Sequence, residues 1–270
     1  MSYEDGWAAI QLQKPARIPR TEYSVESHWE LLQVVTGLPV AVDSPPELKE
    51  RASLAFMRAW NYDFIWSTLI GRDDFGDVYT DMGHAEYAAG GVDRRDTIFS
   101  PFKTVDEVLD FDPWERLGPR DQGELTRRFE AHYQRNCARV PDAVNMTGIY
   151  TTLISGFIDL FGWDWLLLAL GTDPERFGKL CARYAAWMQQ YFDALAAARV
   201  PVVMIHDDIV WSAGPFMRPA WYRKFIFPHY KHYFAPLLES GKRIMFCSDG
   251  NFTQFVDDIA ATGAHGFVFE

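Results

Sequence analysis

Three apolar segments in the second half of the sequence each run into side chains that can bind a metal or move a proton. Segment 200–205 ends at His206-Asp207-Asp208, segment 243–246 ends at Cys247-Ser248-Asp249, and the final segment ends at Glu270. If these segments are neighbouring parallel strands, their carboxyl ends meet at one edge of the sheet, where α/β enzymes hold their active sites. The pattern therefore predicts a reactive site at that edge.

The residue types at these ends are those of a metal site. Alternate residues of an extended segment share a face, so Cys247 and Asp249 can point the same way, as can His206 and Asp208. Thiolate, carboxylate and imidazole groups all bind zinc. We therefore predict a zinc site formed by Cys247, Asp249 and Glu270, with His206 as a further ligand. Zinc bound there would lower the pKa of a substrate thiol and deliver it as a thiolate.

Structural interpretations of the same residues stay open. Cys247 is compatible with a small buried apolar residue, and Asp249 with the cap of the following helix. His206 is compatible with a buried histidine bonded to a backbone carbonyl. Asp207 and Asp208 are harder to explain in this way, because two adjacent acids after an apolar segment are costly unless they are solvated or paired. We assign them catalytic roles.

The composition is that of a globular protein. Hydrophobic residues make up 48% of the 270 residues and charged residues 23%, which excludes a disordered chain. Three cysteines, an odd number, exclude a framework held together by disulfides. A net charge of −11 repels phosphate backbones, so we expect no binding to nucleic acid.

No export signal or membrane span is expected. The amino terminus carries Glu4 and Asp5 and no apolar run follows them, unlike a signal peptide. The longest apolar segment, 148–171, contains Asp159 and Asp164, so we interpret it as buried structure of a soluble protein that does not bind membranes. A cytoplasmic location is expected, since it keeps an odd number of cysteines reduced.

Apolar segments alternate with amphipathic helices, which predicts an α/β fold with a mostly parallel sheet. Both a doubly wound sheet and a closed barrel fit this alternation. Helices are predicted over about 47–60, 121–139, 219–239 and 252–261, with a helix-rich stretch up to 199. Six strands are predicted near Phe64, Val78, Val144, Val202, Ile244 and Phe267.

The predicted strands are too few for an eight-stranded barrel. Each strand–helix unit takes roughly 30 residues, so two further units need about 60 more. We expect a single domain over residues 1–270 that lacks the last strands of such a barrel and whose natural chain continues past Glu270. Segment 75–117, rich in Gly, Asp and Tyr, is interpreted as a hairpin or lid.

Several short motifs follow one another in a defined order along the chain. They are Lys14-Pro15-Ala16-Arg17-Ile18-Pro19, Gly148-Ile149-Tyr150-Thr151-Thr152, His206-Asp207-Asp208, Gly214-Pro215-Phe216-Met217, Phe227-Pro228-His229-Tyr230-Lys231 and Cys247-Ser248-Asp249-Gly250-Asn251. The series resembles the uroporphyrinogen decarboxylase superfamily, which includes corrinoid-dependent methyltransferases, and the likeness is firm over 144–270. That superfamily has a TIM-type (β/α)8 barrel, so the resemblance favours the closed barrel.

The resemblance also implies a function. Methyltransferases of the superfamily bind zinc through His-x-Cys after this strand and a later Cys; here Cys247 replaces the His and Asp249 the first Cys. We expect a methyltransferase that moves a methyl group between a corrinoid, carried by a partner protein, and a small nucleophile. Asp207 or Asp208 would orient substrate or move a proton. Further contacts to the small-molecule substrate are assigned to His206, Asn251, Arg94 and Tyr150.

Two other functions stay open, and a homodimer is compatible with each. A decarboxylase without a cofactor, acting on a porphyrinogen or another acidic compound, would use the two aspartates against the ring and Arg17, Arg94 and Arg223 against the acid groups. It ranks second, because the arginine-rich segment with which porphyrinogen decarboxylases grip carboxylates is not reproduced. The remaining alternative is a non-catalytic module that binds a corrinoid protein.

Overall fold

The structure, a computed structural model, describes residues 1–22, 25, 28–81 and 99–269. It is an α/β fold whose described strands form one parallel five-stranded sheet in the order β1-β2-β3-β4-β5. Each strand therefore lies beside its predecessor in sequence, and parallel neighbours of this kind need crossover connections such as helices. The strands are β1 (Phe64–Ile70), β2 (Val144–Ile149), β3 (Val202–His206), β4 (Arg243–Ser248) and β5 (Gly266–Phe269).

Helices fill most of the sequence between the strands. Those in the described part of the chain are α1 (Tyr3–Ile10), α2 (Trp29–Thr36), α3 (Pro46–Ala59), α4 (Val105–Leu109), α5 (Pro113–Arg116), α6 (Gln122–Arg139), α7 (Ile154–Thr172), α8 (Pro174–Ala197), α9 (Pro219–Phe225), α10 (Phe227–Glu239) and α11 (Val256–Ala260). The helices predicted near 47–60 and 121–139 are confirmed as α3 and α6.

Five of the six predicted strands are confirmed, and the strand near Val78 is wrong. A 3-10 turn over Arg72–Phe75 follows β1, and the backbone N–H of Val78 donates to the carbonyl of Phe75 at 3.1 Å. Gly76, with a φ of 63°, turns the chain at this point, so Val78 lies in a loop. The described residues form five strands. An eight-stranded barrel is implied by the family resemblance and stays a prediction.

The helix predicted over 219–239 is two helices. Ile226 separates α9 from α10, with φ −116° and ψ −62°. The break follows from Pro228, which has no N–H to donate and crowds the backbone before it. The helix predicted over 252–261 is likewise shorter, with a 3-10 turn at Thr253–Phe255 followed by α11.

Segment 75–117 is described only in part. Its described residues contain two short helices and no strand. Thr104 caps α4 by accepting the N–H of Glu107 at 3.2 Å, and Asp112 caps α5 by accepting the N–H of Trp114 at 2.8 Å. Residues 82–98, with Arg94, lie outside the described part of the chain, so the hairpin or lid stays a prediction.

The chain divides into two compact units, of which one comprises residues 1–67 and 131–147 and the other residues 68–130 and 148–270. The single domain over 1–270 stays a prediction. A core of buried side chains that includes Leu32, Phe56 and Tyr62 holds the first unit together. In the second unit, α8 packs against α7 and α10, and α10 packs against β4. The predicted reactive residues belong to this unit.

Helix α7 is the longest apolar segment of the described chain. By length and composition it would suffice to cross a membrane, but 67% of its most apolar window is buried within the protein. It is therefore a core helix, as the two aspartates inside the apolar sequence predict. Its first turn follows β2 and faces the end of β3, which places it beside the reactive residues.

Candidate metal centre at the end of the third strand

The carboxyl end of β3 delivers three titratable residues into the interior. His206, Asp207 and Asp208 have exposed fractions of 1%, 0% and 5%. The N–H of Asp207 donates to the carbonyl of Cys247 at 3.0 Å, so the extended pairing with β4 continues past His206. Alternation along an extended chain then separates Asp207 from His206 and Asp208, and the three side chains indeed have different partners.

Asp207 is bound into the scaffold. Its Oδ1 accepts the backbone N–H of Ser155 at 2.7 Å, and its Oδ2 accepts the hydroxyl of Tyr230 at 2.5 Å. Burial raises the pKa of Asp207 to about 6, although these two hydrogen bonds and the nearby His206 oppose the rise. The N–H comes from the first turn of α7, where backbone donors have no partner within the helix.

His206 and Asp208 form a buried pair. Nε2 of His206 lies 3.2 Å from Oδ1 of Asp208, and the imidazole stacks on the ring of Tyr150 with centroids 3.9 Å apart. Burial lowers the pKa of His206, but the hydrogen bond to Asp208 and the charges of Asp208 and Asp207 outweigh it, so that the pKa is raised. Tyr150, predicted to bind substrate, therefore lies in the site against His206.

Asp249 completes a three-residue cluster. It follows β4, is exposed, and its backbone N–H donates to Oδ1 of Asp208 at 3.0 Å. One ligand atom from each of His206, Asp208 and Asp249 lies within 4.8 Å of the other two. Ligands of a tetrahedral zinc ion lie ~3.3 Å apart, given zinc–ligand bonds of about 2.0–2.2 Å. The 3.2 Å between Nε2 of His206 and Oδ1 of Asp208 is a hydrogen-bond distance that is also close to this spacing.

The cluster does not coincide with the predicted ligand set. Asp249 and His206 belong to it, and its third member is Asp208, which is predicted from the sequence to be catalytic. Cys247 is fully buried in β4 and is not a member of the cluster, so its assignment as a ligand gains no support from this geometry. Glu270 lies outside the described residues, and its role stays a prediction.

Ser155 is a site residue that the sequence reasoning missed. Its backbone N–H binds Asp207, its Oγ accepts the N–H of Asp208 at 2.8 Å, and the same Oγ lies 3.4 Å from Nδ1 of His206. One residue thus contacts all three members of the His206-Asp207-Asp208 motif. No local signal marks it, because the contacts span more than 50 residues of sequence.

Asp159, one turn after Ser155 on α7, was also missed. It is 6% exposed, and burial raises its pKa to about 7, with Arg72 and His206 lowering it and Asp208 raising it. Arg72 follows β1, and its guanidinium lies over the ring of Tyr79 at 5.1 Å. The signal available in the sequence was an acid inside an apolar helix, which is costly without a function.

Asn251, predicted to bind substrate, is engaged in a local turn. Its Oδ1 accepts the N–H of Thr253 at 3.2 Å, and its own N–H donates to the carbonyl of Trp211 at 3.0 Å. Gly250 has a φ of 81°, and a Cβ there would lie 2.7 Å from the backbone of Trp211, so glycine is required. The loops after β3 and β4 therefore pack closely beside Asp249.

Comparison with known proteins agrees with the motifs. A family model described as "Uroporphyrinogen decarboxylase (URO-D)" matches residues 103–270, more than half of the chain. A structure described as a methyltransferase from Methanosarcina mazei superimposes with a TM-score of 0.56 at 16% identity, covering 96% of this chain and 73% of that one. At this identity the likeness shows the fold alone. No curated protein matches significantly. The chain belongs to the uroporphyrinogen decarboxylase family.

Proposed function

We propose that this protein is a metal-dependent methyltransferase that moves a methyl group between a corrinoid and a small nucleophile. The observation that carries the proposal is the cluster of His206, Asp208 and Asp249 at the carboxyl ends of β3 and β4. Three protein ligands with a fourth position left for substrate are typical of catalytic zinc sites, whereas structural sites use four. The structure described as a methyltransferase from Methanosarcina mazei shares the fold on which such a site would be built.

The surroundings of the cluster suit a metal. Nδ1 of His206 lies 3.4 Å from both the carbonyl of Tyr150 and Oγ of Ser155, and an acceptor at this nitrogen orients a metal-binding imidazole through Nε2. Imidazole with two carboxylates accepts zinc, although it is less selective than a thiolate set. A metal ion held there would lower the pKa of a bound thiol or hydroxyl and so supply the nucleophile.

The remaining polar residues have separate tasks. Both carboxylate oxygens of Asp207 accept a hydrogen bond, one from Ser155 and one from Tyr230. Asp207 therefore fixes the end of β3 relative to α7 and α10. Asp159, with a pKa of about 7, can accept the proton that a nucleophile releases at neutral pH. Arg72, electrostatically coupled to Asp159, would attract an anionic group of the substrate.

Decarboxylation of an acidic compound is the second candidate, since the matching family model bears that description. The arginines predicted to hold the acid groups are engaged elsewhere: Arg17 donates to Oδ2 of Asp63 at 2.7 Å, and Arg223 pairs with Asp258 at 2.9 Å. Arg94 lies outside the described residues. The cations that this function needs are therefore not provided by the two described candidates.

The test is methyl transfer from methylcobalamin to a small thiol, which forms a thioether. The reaction is monitored by the change in absorbance as the cobalt–carbon bond breaks. Wild-type protein should turn over, lose activity on chelation and regain it with zinc. Asp249→Asn should lower the rate at least 10-fold through weaker metal binding, whereas the exposed Asp257→Asn should not.

Three results would contradict the proposal. Methyl transfer unaffected by chelation would remove the metal from the mechanism. Decarboxylation of uroporphyrinogen in the presence of chelator, without methyl transfer, would assign the second candidate. Binding of a corrinoid protein that survives Asp207→Asn and Asp208→Asn, with no turnover in wild type, would indicate a non-catalytic module.

A further inference from the structure

A second set of metal-binding side chains lies between α8 and α10. An open pocket of about 430 Å³ lies at the contact between the two helices there, and none of the residues of the His206 cluster lines it. Three alanines, Ala182, Ala185 and Ala186, line it from α8 and leave the space open. His229 and His232 line it from α10, and Gln189 lines it from α8.

Three electron-donor groups in this pocket have no hydrogen-bond partner within the described part of the chain. Oε1 of Gln189 is buried and accepts no hydrogen bond. Its amide orientation is fixed, because Nε2 donates to Oδ1 of Asp193 at 2.9 Å. The imidazoles of His229 and His232 likewise make no hydrogen bond or ion pair with a described residue. Buried polar atoms are almost always satisfied, so an orphaned carbonyl oxygen points to an absent ligand.

We propose that His229, His232 and Oε1 of Gln189 bind a divalent transition-metal cation. Residues three apart on a helix lie on one face with Cβ atoms about 5–6 Å apart, so both imidazoles can reach one ion. A carbonyl oxygen and the lone pairs of two neutral imidazoles are electron donors, which attract a cation. Imidazole ligands suit Zn²⁺, Cu²⁺ and Ni²⁺.

The site would connect the scaffold to the first metal cluster. Helix α10 carries Tyr230, whose hydroxyl binds the buried Asp207, and Gln189 belongs to α8. A cation held by both helices stabilises the folded arrangement in which Tyr230 reaches Asp207, because it binds the native state and not the unfolded chain. The role is structural and independent of the proposed reaction.

Copper is the probe, since its electron paramagnetic resonance spectrum reports nitrogen ligands. The full chain carrying Asp249→Asn, which disables the first cluster, should still bind one Cu²⁺ with coupling to two nitrogens. Adding His232→Asn should remove one coupling and weaken binding at least 10-fold. Lys231→Asn, an exposed neighbour on the same helix, should change neither.

Changes at Gln189 give an independent test. Gln189→Glu places a carboxylate beside the cation and should tighten copper binding roughly tenfold, whereas Gln189→Met should weaken it. Copper binding unaffected by His232→Asn would overturn the site, as would inorganic phosphate competing for it or Gln189→Glu weakening it. A failure of methyl transfer alone would leave these results unchanged, so the two proposals are separable.

Discussion

Asp207 and Asp208 are adjacent in sequence but have different surroundings. Asp207 is fully buried, and each of its oxygens accepts one strong hydrogen bond, from Ser155 and from Tyr230. Asp208 instead contacts His206 and the backbone of Asp249. The two acids, equivalent in the sequence, therefore divide into a residue that holds the scaffold and a member of the candidate metal cluster. The catalytic role predicted for Asp207 is best tested through its partners.

Tyr230→Phe isolates one of these partners. It removes the hydroxyl that binds Oδ2 of Asp207 and leaves a buried carboxylate partly unsatisfied, which should cost about 1.5–3 kcal/mol of unfolding free energy. The pKa of Asp207 should rise further, because the lost hydrogen bond lowers it. Urea denaturation monitored by fluorescence measures the loss.

The matched control is Tyr184→Phe. The hydroxyl of Tyr184 is also buried and donates to the carbonyl of Thr151 at 2.7 Å, but its acceptor is neutral, so removal should cost only about 1 kcal/mol. Equal losses for the two variants would show that Asp207 is not held as a charged acceptor by Tyr230.

Asp159→Asn should change how stability depends on pH. The pKa of Asp159 is about 7 in the folded protein and near 3.8 ordinarily, so between pH 4 and pH 7 the folded state holds a proton that the unfolded state has lost. Protonated Asp159 therefore stabilises the folded protein at pH 4. This contribution to the free energy of unfolding, up to about 4 kcal/mol, is lost as the pH rises through 7.

Urea midpoints measured at pH 5 and pH 8 check this. Wild-type protein should lose more stability between these values than Asp159→Asn, because the neutral amide does not titrate. Thr80→Val serves as the comparison: it lies next to the same helix, with its N–H bound to the carbonyl of Asp159, and adds no titrating group. Identical pH profiles for wild type and Asp159→Asn would contradict the assignment.

At the scale of elements, the sequence predicted the strands that carry the site. Segments such as Val202–His206 and Arg243–Ser248 are apolar and β-rich, and local propensity agreed with their final environment. Val78 sits in a sequence of similar propensity, but the turn at Gly76 takes it out of the sheet. The break at Ile226 is a local effect of Pro228, which disfavours helical backbone before it.

The composition of the metal cluster was less predictable. Alternation correctly paired His206 with Asp208 and placed Asp249 on the same edge, because those relations are local. Which of Cys247 and Asp208 joins the cluster depends on how the strand ends turn after β3 and β4. The contacts of Ser155 depend on where α7 begins relative to β3, and neither tertiary relation is encoded in spacing along the chain.

Gly148→Ala tests the close approach of β2 to β3. A Cβ at Gly148 would overlap the backbone carbonyl of Met204, and a strand backbone cannot move without breaking the sheet. We expect a loss of at least about 3 kcal/mol in unfolding free energy, or insoluble protein. Gly171→Ala in α7 has open space around it and should stabilise by about 0.5–1 kcal/mol. Similar stabilities for the two variants would refute this packing.

For the whole molecule, all described residues of the proposed centre belong to one compact unit. Residues 68–130 and 148–270 contain Arg72, Ser155, Asp159, the His206 motif and Asp249, and the family model matches most of this unit. A metal ion that binds the cluster should therefore stabilise the compact unit that contains it. That linkage gives a test that needs no knowledge of substrate.

Zinc should raise the melting temperature, and the shift should grow with the logarithm of the ratio of zinc concentration to Kd. At a zinc concentration 100-fold above Kd, a single site adds about 2.7 kcal/mol, which corresponds to roughly 5–10 °C for a chain of this size. The measurement is a calorimetric zinc titration of His232→Asn protein, so that only the cluster at His206, Asp208 and Asp249 contributes. Asp249→Asn added to that background should abolish the shift, and Asp257→Asn should retain it. A shift that survives Asp249→Asn would place the zinc elsewhere and remove the observation on which the methyltransferase proposal rests.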